Sequence, residues 1–207
     1  MNRFITFEGI DGCGKSTQIK LLSEFLYSRK ITNKIIREPG GTNVSEKIRS
    51  ILLDNKNNIG SYTETLLFLS SRSQLVKEVV LKAIEKKIFI LCDRFTDSTL
   101  SYQGFGRGLN IKDLDILNQF ATYNTNPDIT FILDIEVSEA IKRFSSREKD
   151  RMEEEGVEFL RRVKNGYLDI AKRDKNRYIV LNCNGKSIKE VNQEIIDYVK
   201  NYYKDVI

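Results

Sequence analysis

The chain is expected to fold as an α/β protein on a five-stranded parallel sheet flanked by helices on both faces. Three observations lead there. Short β-like runs alternate with helical stretches along the chain, several of those runs are apolar at consecutive positions rather than at every second one, and a glycine loop joins the first run to the first helical stretch. At 207 residues the chain can bury one sizeable core, and a single domain over 1–207 is the expectation. Sheets of this kind take right-handed crossovers and bind ligands at the carboxyl ends of their strands.

The elements follow in order. Residues 3–8 form a short strand that runs at once into Gly9-Ile10-Asp11-Gly12-Cys13-Gly14-Lys15-Ser16-Thr17, and 18–29 place Ile19, Leu22, Phe25 and Leu26 at helical spacing. A second strand over 34–37 ends in Glu38-Pro39-Gly40-Gly41-Thr42, a turn cluster whose Thr42 suits the N-cap of a helix over 44–53. A long helix is expected over 63–87. Strand three, over 88–92, is wholly apolar and stops at Asp93-Arg94. A helix over 111–123, a fourth strand over 129–134 and a helix from 137 to 144 come next. A densely charged stretch, 145–156, separates these from a helix over 157–172, a strand over 178–183 and an amphipathic helix over 187–203.

Composition removes several function classes. The chain has no histidine, so Ser-His-Asp triads, Cys-His dyads and histidine-ligated zinc are all excluded. Cys13, Cys92 and Cys183 are far apart in sequence and form no CxxC pair, which fits a reducing compartment rather than a disulfide or zinc framework. No apolar run approaches the length of a membrane span, and the amino end passes directly into strand and loop, so a cytoplasmic location away from membranes is the expectation. The net charge is +5, but Lys and Arg are dispersed along the chain, which does not predict a nucleic-acid partner.

Residues 9–16 match G-x-x-x-x-G-K-[ST] in full and lie between a predicted strand and a predicted helix, the context this phosphate-binding loop needs. Its glycines let backbone N–H groups close around phosphate oxygens, Lys15 reaches the β- and γ-phosphates, and the Ser16 hydroxyl suits magnesium. No Asn-Lys-x-Asp segment is present to read guanine. Instead, arginines follow strand ends: Arg37 after strand two and Arg94 after strand three, with Arg72 on the long helix. Any one arginine is commonly a solvated residue, but two at successive strand ends suit a second anionic ligand beside ATP. Two roles are open to Asp93: magnesium through water, or a helix cap or arginine partner. Asp11 suits either an acceptor hydroxyl or the metal shell. Cys13 fills a permissive loop position, or has its thiol activated by the helix start. The charged stretch reads either as a solvated loop or as a mobile lid at about 145–156 that brings Arg147 and Arg151 to the transferring phosphoryl group.

Phe7-Glu8-Gly9-Ile10-Asp11-Gly12-Cys13-Gly14-Lys15-Ser16-Thr17, Arg37-Glu38-Pro39-Gly40-Gly41-Thr42, Phe68 with Arg72, Asp93-Arg94-Phe95 and Ser101-Tyr102-Gln103-Gly104 together resemble the thymidylate kinase family. Leu133-Asp134, Asp150-Arg151 and 159–163 leading to Tyr167 extend the resemblance nearly end to end. It implies the nucleoside monophosphate kinase fold and phosphoryl transfer from ATP, with Mg2+, to dTMP. By the same resemblance Phe68 stacks on thymine, Arg72 hydrogen-bonds the base with Ser98 and Thr99 beside it, and Tyr102, next to Gln103, sits against the deoxyribose. Arg37 and Arg94 hold the acceptor phosphate, with Asp11 near the 3′-hydroxyl; Arg143 joins the ATP-binding residues, and catalytic arginines stand in the lid. Phe95 departs from the Tyr or His common at its position. A homodimer is implied, for which the long helix offers an apolar face unless that face packs on the sheet. The rivals are a kinase for another nucleotide or nucleoside, and a phosphate-loop switch that hydrolyses ATP slowly.

Overall fold

In the computed structural model of the chain the described residues are 2–144 and 151–207. Five strands, β1 (Phe4–Glu8), β2 (Asn33–Arg37), β3 (Phe89–Asp93), β4 (Ile129–Asp134) and β5 (Tyr178–Asn182), form one sheet in the order β2-β3-β1-β4-β5. Every pairing is parallel, with Phe7 beside Asp93 and Phe131. The chain leaves β1 toward one edge of the sheet and later crosses from β3 to β4 on its other side. The carboxyl ends of β1, β3 and β4 therefore border a crevice at the switch point.

The strands β3 and β4 are apolar at nearly every position because both sheet faces are covered there, whereas the edge strands β2 and β5 are partly exposed. Ile5, Phe7, Phe89 and Leu91 face one buried cluster, while Phe4, Ile90 and Cys92 face the other. The larger cluster also takes in Phe131, Phe159, Tyr167 and Ile195.

Helices α1 (Lys15–Ser28), α2 (Asn43–Leu53) and α3 (Ser61–Leu75) connect the first three strands. The helix α1 starts at Lys15, so the phosphate loop runs straight into its first turn. Thr42 caps α2 as expected, accepting from the Ser45 N–H at 3.1 Å. The long helix runs on from α3 through a π-helical turn, Val76–Val80, into α4 (Leu81–Glu85). A short α5 (Thr96–Thr99) and a second π-helical stretch, Leu100–Gly106, follow β3, where no helix was expected. Among the described residues the remaining α-helices are α6 (Ile111–Ala121), α7 (Val137–Phe144), α8 (Val157–Ala171) and α9 (Ile188–Tyr202), with a 3-10 turn at Glu153–Glu155 before α8. A reciprocal Ser187–Glu190 capping box starts α9. Among the described residues no helix is long and apolar enough to cross a membrane.

Candidate active site

At the carboxyl ends of the strands lies a cavity of about 750 Å³, and nearly all the expected binding residues meet in it. The loop residues Asp11 to Thr17 line one end. Arg37, Phe68, Arg72, Arg94, Ser98, Thr99, Tyr102 and Gln103 line the other, with Asp93 between and Arg143 at the mouth.

The loop owes its shape to glycines in conformations other residues resist. Gly12 has φ 79°, and a Cβ there would lie 2.5 Å from the Ala140 carbonyl oxygen; Gly9 has φ 136°, and its Cβ would approach the Leu133 carbonyl oxygen to 2.7 Å. Gly9 and Ile10 thus form the floor of the loop while Asp11 onward form its rim. Lys15 curls back across it, donating to the carbonyls of Gly9 (3.0 Å) and Ile10 (3.1 Å). Ser16 donates to Asp93 Oδ2 at 2.7 Å, which pairs two hard oxygen ligands on the cavity wall. Arg143 Nη1 donates to the Gly12 carbonyl at 3.1 Å.

Arg94 reaches from that second end to the phosphate loop. Its backbone is left-handed, φ 71°, and its guanidinium donates to the Gly9 carbonyl, Ser98, Tyr167, Tyr102 and Asp11. The Asp11 contact is an ion pair of 2.7 Å, and Tyr102 donates to the other Asp11 oxygen at 3.0 Å. Burial pushes the Asp11 carboxyl up, but Arg94 and then Lys15 outweigh it and hold the group well below the usual carboxylate range. Burial pushes the Tyr102 phenol well up, so its hydroxyl serves as a neutral donor.

Arg37 pairs with Glu46 and also donates to the Pro39 carbonyl at 2.8 Å. Arg49 donates to the same carbonyl at 2.9 Å, which brings two guanidinium groups together beside the cis Glu38–Pro39 bond. Arg49 borders the cavity and was missed in the sequence. Its signal was present: it lies on the helix that follows the Arg37 turn. Lys186, Ser187 and Ile188 also line the cavity near the phosphate loop and were not singled out. Met152 and Leu53 add apolar lining to the cavity.

Three residues are more engaged or more shielded than the sequence suggests. Arg72 borders the cavity, but its guanidinium is buried and donates to Glu38 Oε2, Thr99 Oγ1, Asn118 Oδ1 and the Phe95 carbonyl. It is therefore a post that holds the pocket wall before it is a donor to any base. Arg151, expected at the transferring phosphoryl group, instead pairs with buried Glu64 at 2.7 Å and donates to the Leu52 carbonyl at 2.8 Å. The physical reason is Glu64 itself, a fully buried carboxylate that draws both Arg107 and Arg151. The Cys13 thiol is not activated: burial pushes it up, and Lys15 and Arg94 only partly offset that. Arg147 and the lid residues 145–150 lie outside the described residues.

Comparison with known proteins gives a consistent result. The family model described as thymidylate kinase matches residues 7–195. The chain is 46% identical over 200 residues to the thymidylate kinase of Thermoanaerobacter sp. (strain X514), covering 97% of this chain and 98% of that one. It is 48% identical over 201 residues to that of Thermosipho africanus (strain TCF52B), covering 96% and 98% respectively. Its fold is similar to the crystal structure of thymidylate kinase from Ehrlichia chaffeensis, with a TM-score of 0.78 and 34% identity over 96% of this chain and 98% of that one.

Proposed function

The chain belongs to the thymidylate kinase family, and from that premise we propose how its own residues transfer the γ-phosphoryl group of ATP to dTMP, giving dTDP and ADP. The observation that carries the reading is the meeting of two anion sites in one cavity, a phosphate loop at one end and Arg37, Arg49 and Arg94 at the other. A nucleotide hydrolase needs only the first. Two phosphorylated ligands held end to end convert a bimolecular transfer into an oriented, effectively unimolecular one.

The donor phosphates lie in the loop from Gly9 to Thr17, held by its backbone N–H groups and the first turn of α1, with Lys15 released from the Gly9 and Ile10 carbonyls to reach the transferring group. Arg143 and the β5–α9 connection at Lys186 to Ile188 flank the rest of the donor nucleotide. Ser16 and Asp93 are the oxygen donors that fit Mg2+, a cation that prefers such ligands and keeps several waters; when bound it neutralises charge on the donor phosphates.

The acceptor phosphate lies against Arg94, with Arg37 and Arg49 beside it. Phe68 offers the stacking face for the base, and Ser98, Thr99 and Gln103 line that wall with Arg72 holding Thr99 in place. Tyr102 fills the space beside the sugar and orients Asp11 toward the 3′-hydroxyl. A ribose 2′-hydroxyl meets the buried Tyr102 ring, which disfavours ribonucleotides. The lid at about 145–156 closes over the site, and Arg147 is its arginine for the phosphoryl group.

We place the protein in the cytoplasm as a single-domain homodimer. Tyr62 and Leu66 of α3 and Ile116 and Phe120 of α6 are exposed apolar side chains on two helices that pack together, an arrangement suited to a second copy. Light scattering coupled to gel filtration tests this, since Phe120→Glu should yield monomers. The function itself is tested by coupled assay of ADP release with dTMP, dUMP, dCMP, AMP and unphosphorylated thymidine as acceptors. Preference for another acceptor overturns the choice of substrate. ADP release with no phosphorylated acceptor would instead identify a switch that hydrolyses ATP.

A further inference from the structure

Glu8 ends β1 directly beneath the site and is fully buried, 0% exposed. A carboxylate in such a place is costly unless its oxygens are satisfied, and an apolar residue would complete the strand at less cost. Its oxygens are satisfied in a particular direction. Oε1 accepts from the Phe95 N–H at 2.7 Å; Oε2 accepts from Ser98 Oγ at 2.6 Å and from Tyr167 Oη at 3.0 Å. Both hydroxyls then accept from Arg94 Nη1, Ser98 at 3.3 Å and Tyr167 at 3.0 Å. Ser98 Oγ and Tyr167 Oη also lie 2.8 Å from each other, where either can donate; an ionised carboxylate draws both O–H bonds to itself and leaves both oxygens to accept from the guanidinium. It also grips the backbone immediately after Arg94, the residue with φ 71°.

We propose that Glu8 is a positioning residue of the acceptor half of the site: through Ser98, Tyr167 and the Phe95 N–H it fixes the guanidinium of Arg94 that holds the acceptor phosphate. The inference rests on the reading of Arg94 given above. Glu8 itself touches no substrate.

The charged and titratable groups around Glu8 come from every element packed on it. Asp97 of α5 faces it and is held by Arg177 and Tyr178 at β5; Arg94 and Cys92 face it from β3 and its end, and Tyr167 from α8. Burial first and Asp97 second push the Glu8 carboxyl up to about 7, against the pull of Ser98 and Arg94. The ionised form is the one that orients both hydroxyls. Protonation forces one O–H to turn away, so the grip on Arg94 weakens as pH falls through that value and is complete above it.

Glu8→Gln separates positioning from a merely structural role. An amide places an N–H donor against either the Phe95 N–H or the two hydroxyls, a mismatch in both orientations. With the full-length protein, KM for dTMP is expected to rise about tenfold and kcat to fall by a similar factor, while ATP affinity stays within about twofold. The wild-type rise in dTMP KM between about pH 8 and pH 6 should exceed that of the variant, since titration of the substrate phosphate is common to both. Tyr167→Phe, which deletes one arm without introducing an amide, should show the same split at about threefold. A wild-type dTMP KM in either variant overturns the proposal, as does loss of ATP affinity in step with loss of thermal stability. If the wild-type protein does not phosphorylate dTMP, it is the reading of the acceptor site that fails instead.

Discussion

The Ser16 hydroxyl donates to Asp93 Oδ2 at 2.7 Å, linking the first turn of α1 to the end of β3 across the floor of the cavity. Two residues far apart in sequence thus present adjacent hard oxygens beside the phosphate loop. Among the described residues Asp93 caps no helix and forms no ion pair with an arginine, so of the two roles open to it the metal one is put to the test. Asp93→Asn is expected to raise the Mg2+ concentration for half-maximal rate about tenfold and to lower kcat about 10²-fold. Initial rates over graded Mg2+ at fixed ATP and dTMP check this. An unaltered Mg2+ dependence would return Asp93 to a structural role.

Arg94 carries the acceptor phosphate in this reading, and its geometry sets a stringent test. Its guanidinium spans Gly9 on one side and Asp11 on the other, from a backbone that non-glycine residues rarely adopt. Arg94→Ala should reduce turnover about 10²- to 10³-fold while ATP binding, measured by calorimetry, changes little. Arg94→Lys should recover little of the loss, because a single ammonium cannot bridge those partners. Recovery by lysine would show that only charge is needed.

The frame of the molecule was legible because β3 and β4 are buried on both faces and so read as nearly unbroken apolar runs, while β1 alternates and is fixed by the loop that follows it. The loop from Gly9 to Ser16 was legible because its chemistry fixes its spacing. The stretch from Thr96 to Gly106 was not, since Thr, Ser, Tyr, Gln and Gly carry no apolar period and its helix is held by packing against α8. Arg72 and Arg151 were noticed as arginines, but their partners Glu38 and Glu64 lie 34 and 87 residues away. Only the fold reveals that these two cations are already engaged. Pairing of that range leaves no local pattern in a sequence.

Cys13 gives a prediction opposite to that of an activated thiol. Its side chain is buried under the phosphate loop, and burial keeps it protonated at neutral pH despite Lys15. Thiolate is the nucleophile, so iodoacetamide at neutral pH should leave Cys13 unmodified over times that label an exposed model thiol completely. Peptide mass mapping of the native protein reads the outcome. Rapid labelling suppressed by ATP would mean that the loop opens far enough to expose the sulfur.

The two lid arginines should separate by phenotype. Arg151 is spent on Glu64 and on the carbonyls at the end of α2, with its own N–H donating to the Leu53 carbonyl at 3.4 Å. Removing it leaves Glu64 with Arg107 and Gln103, so the carboxylate keeps partners but the chain entering α8 loses its anchor. Glu64, Phe68 and Arg72 share one face of α3, and Met152 lines the same cavity as Phe68. Arg151→Ala is therefore expected to lower Tm by about 3–8 °C and to raise KM for dTMP more than it lowers kcat. Arg147→Ala, if Arg147 is the arginine that meets the transferring group, should lower kcat about 10²-fold with Tm and both binding constants nearly unchanged. Melting curves and steady-state kinetics on the two variants decide the matter. Were Arg151→Ala to reduce kcat alone, Arg151 would have to leave Glu64 during turnover and act on the phosphoryl group itself.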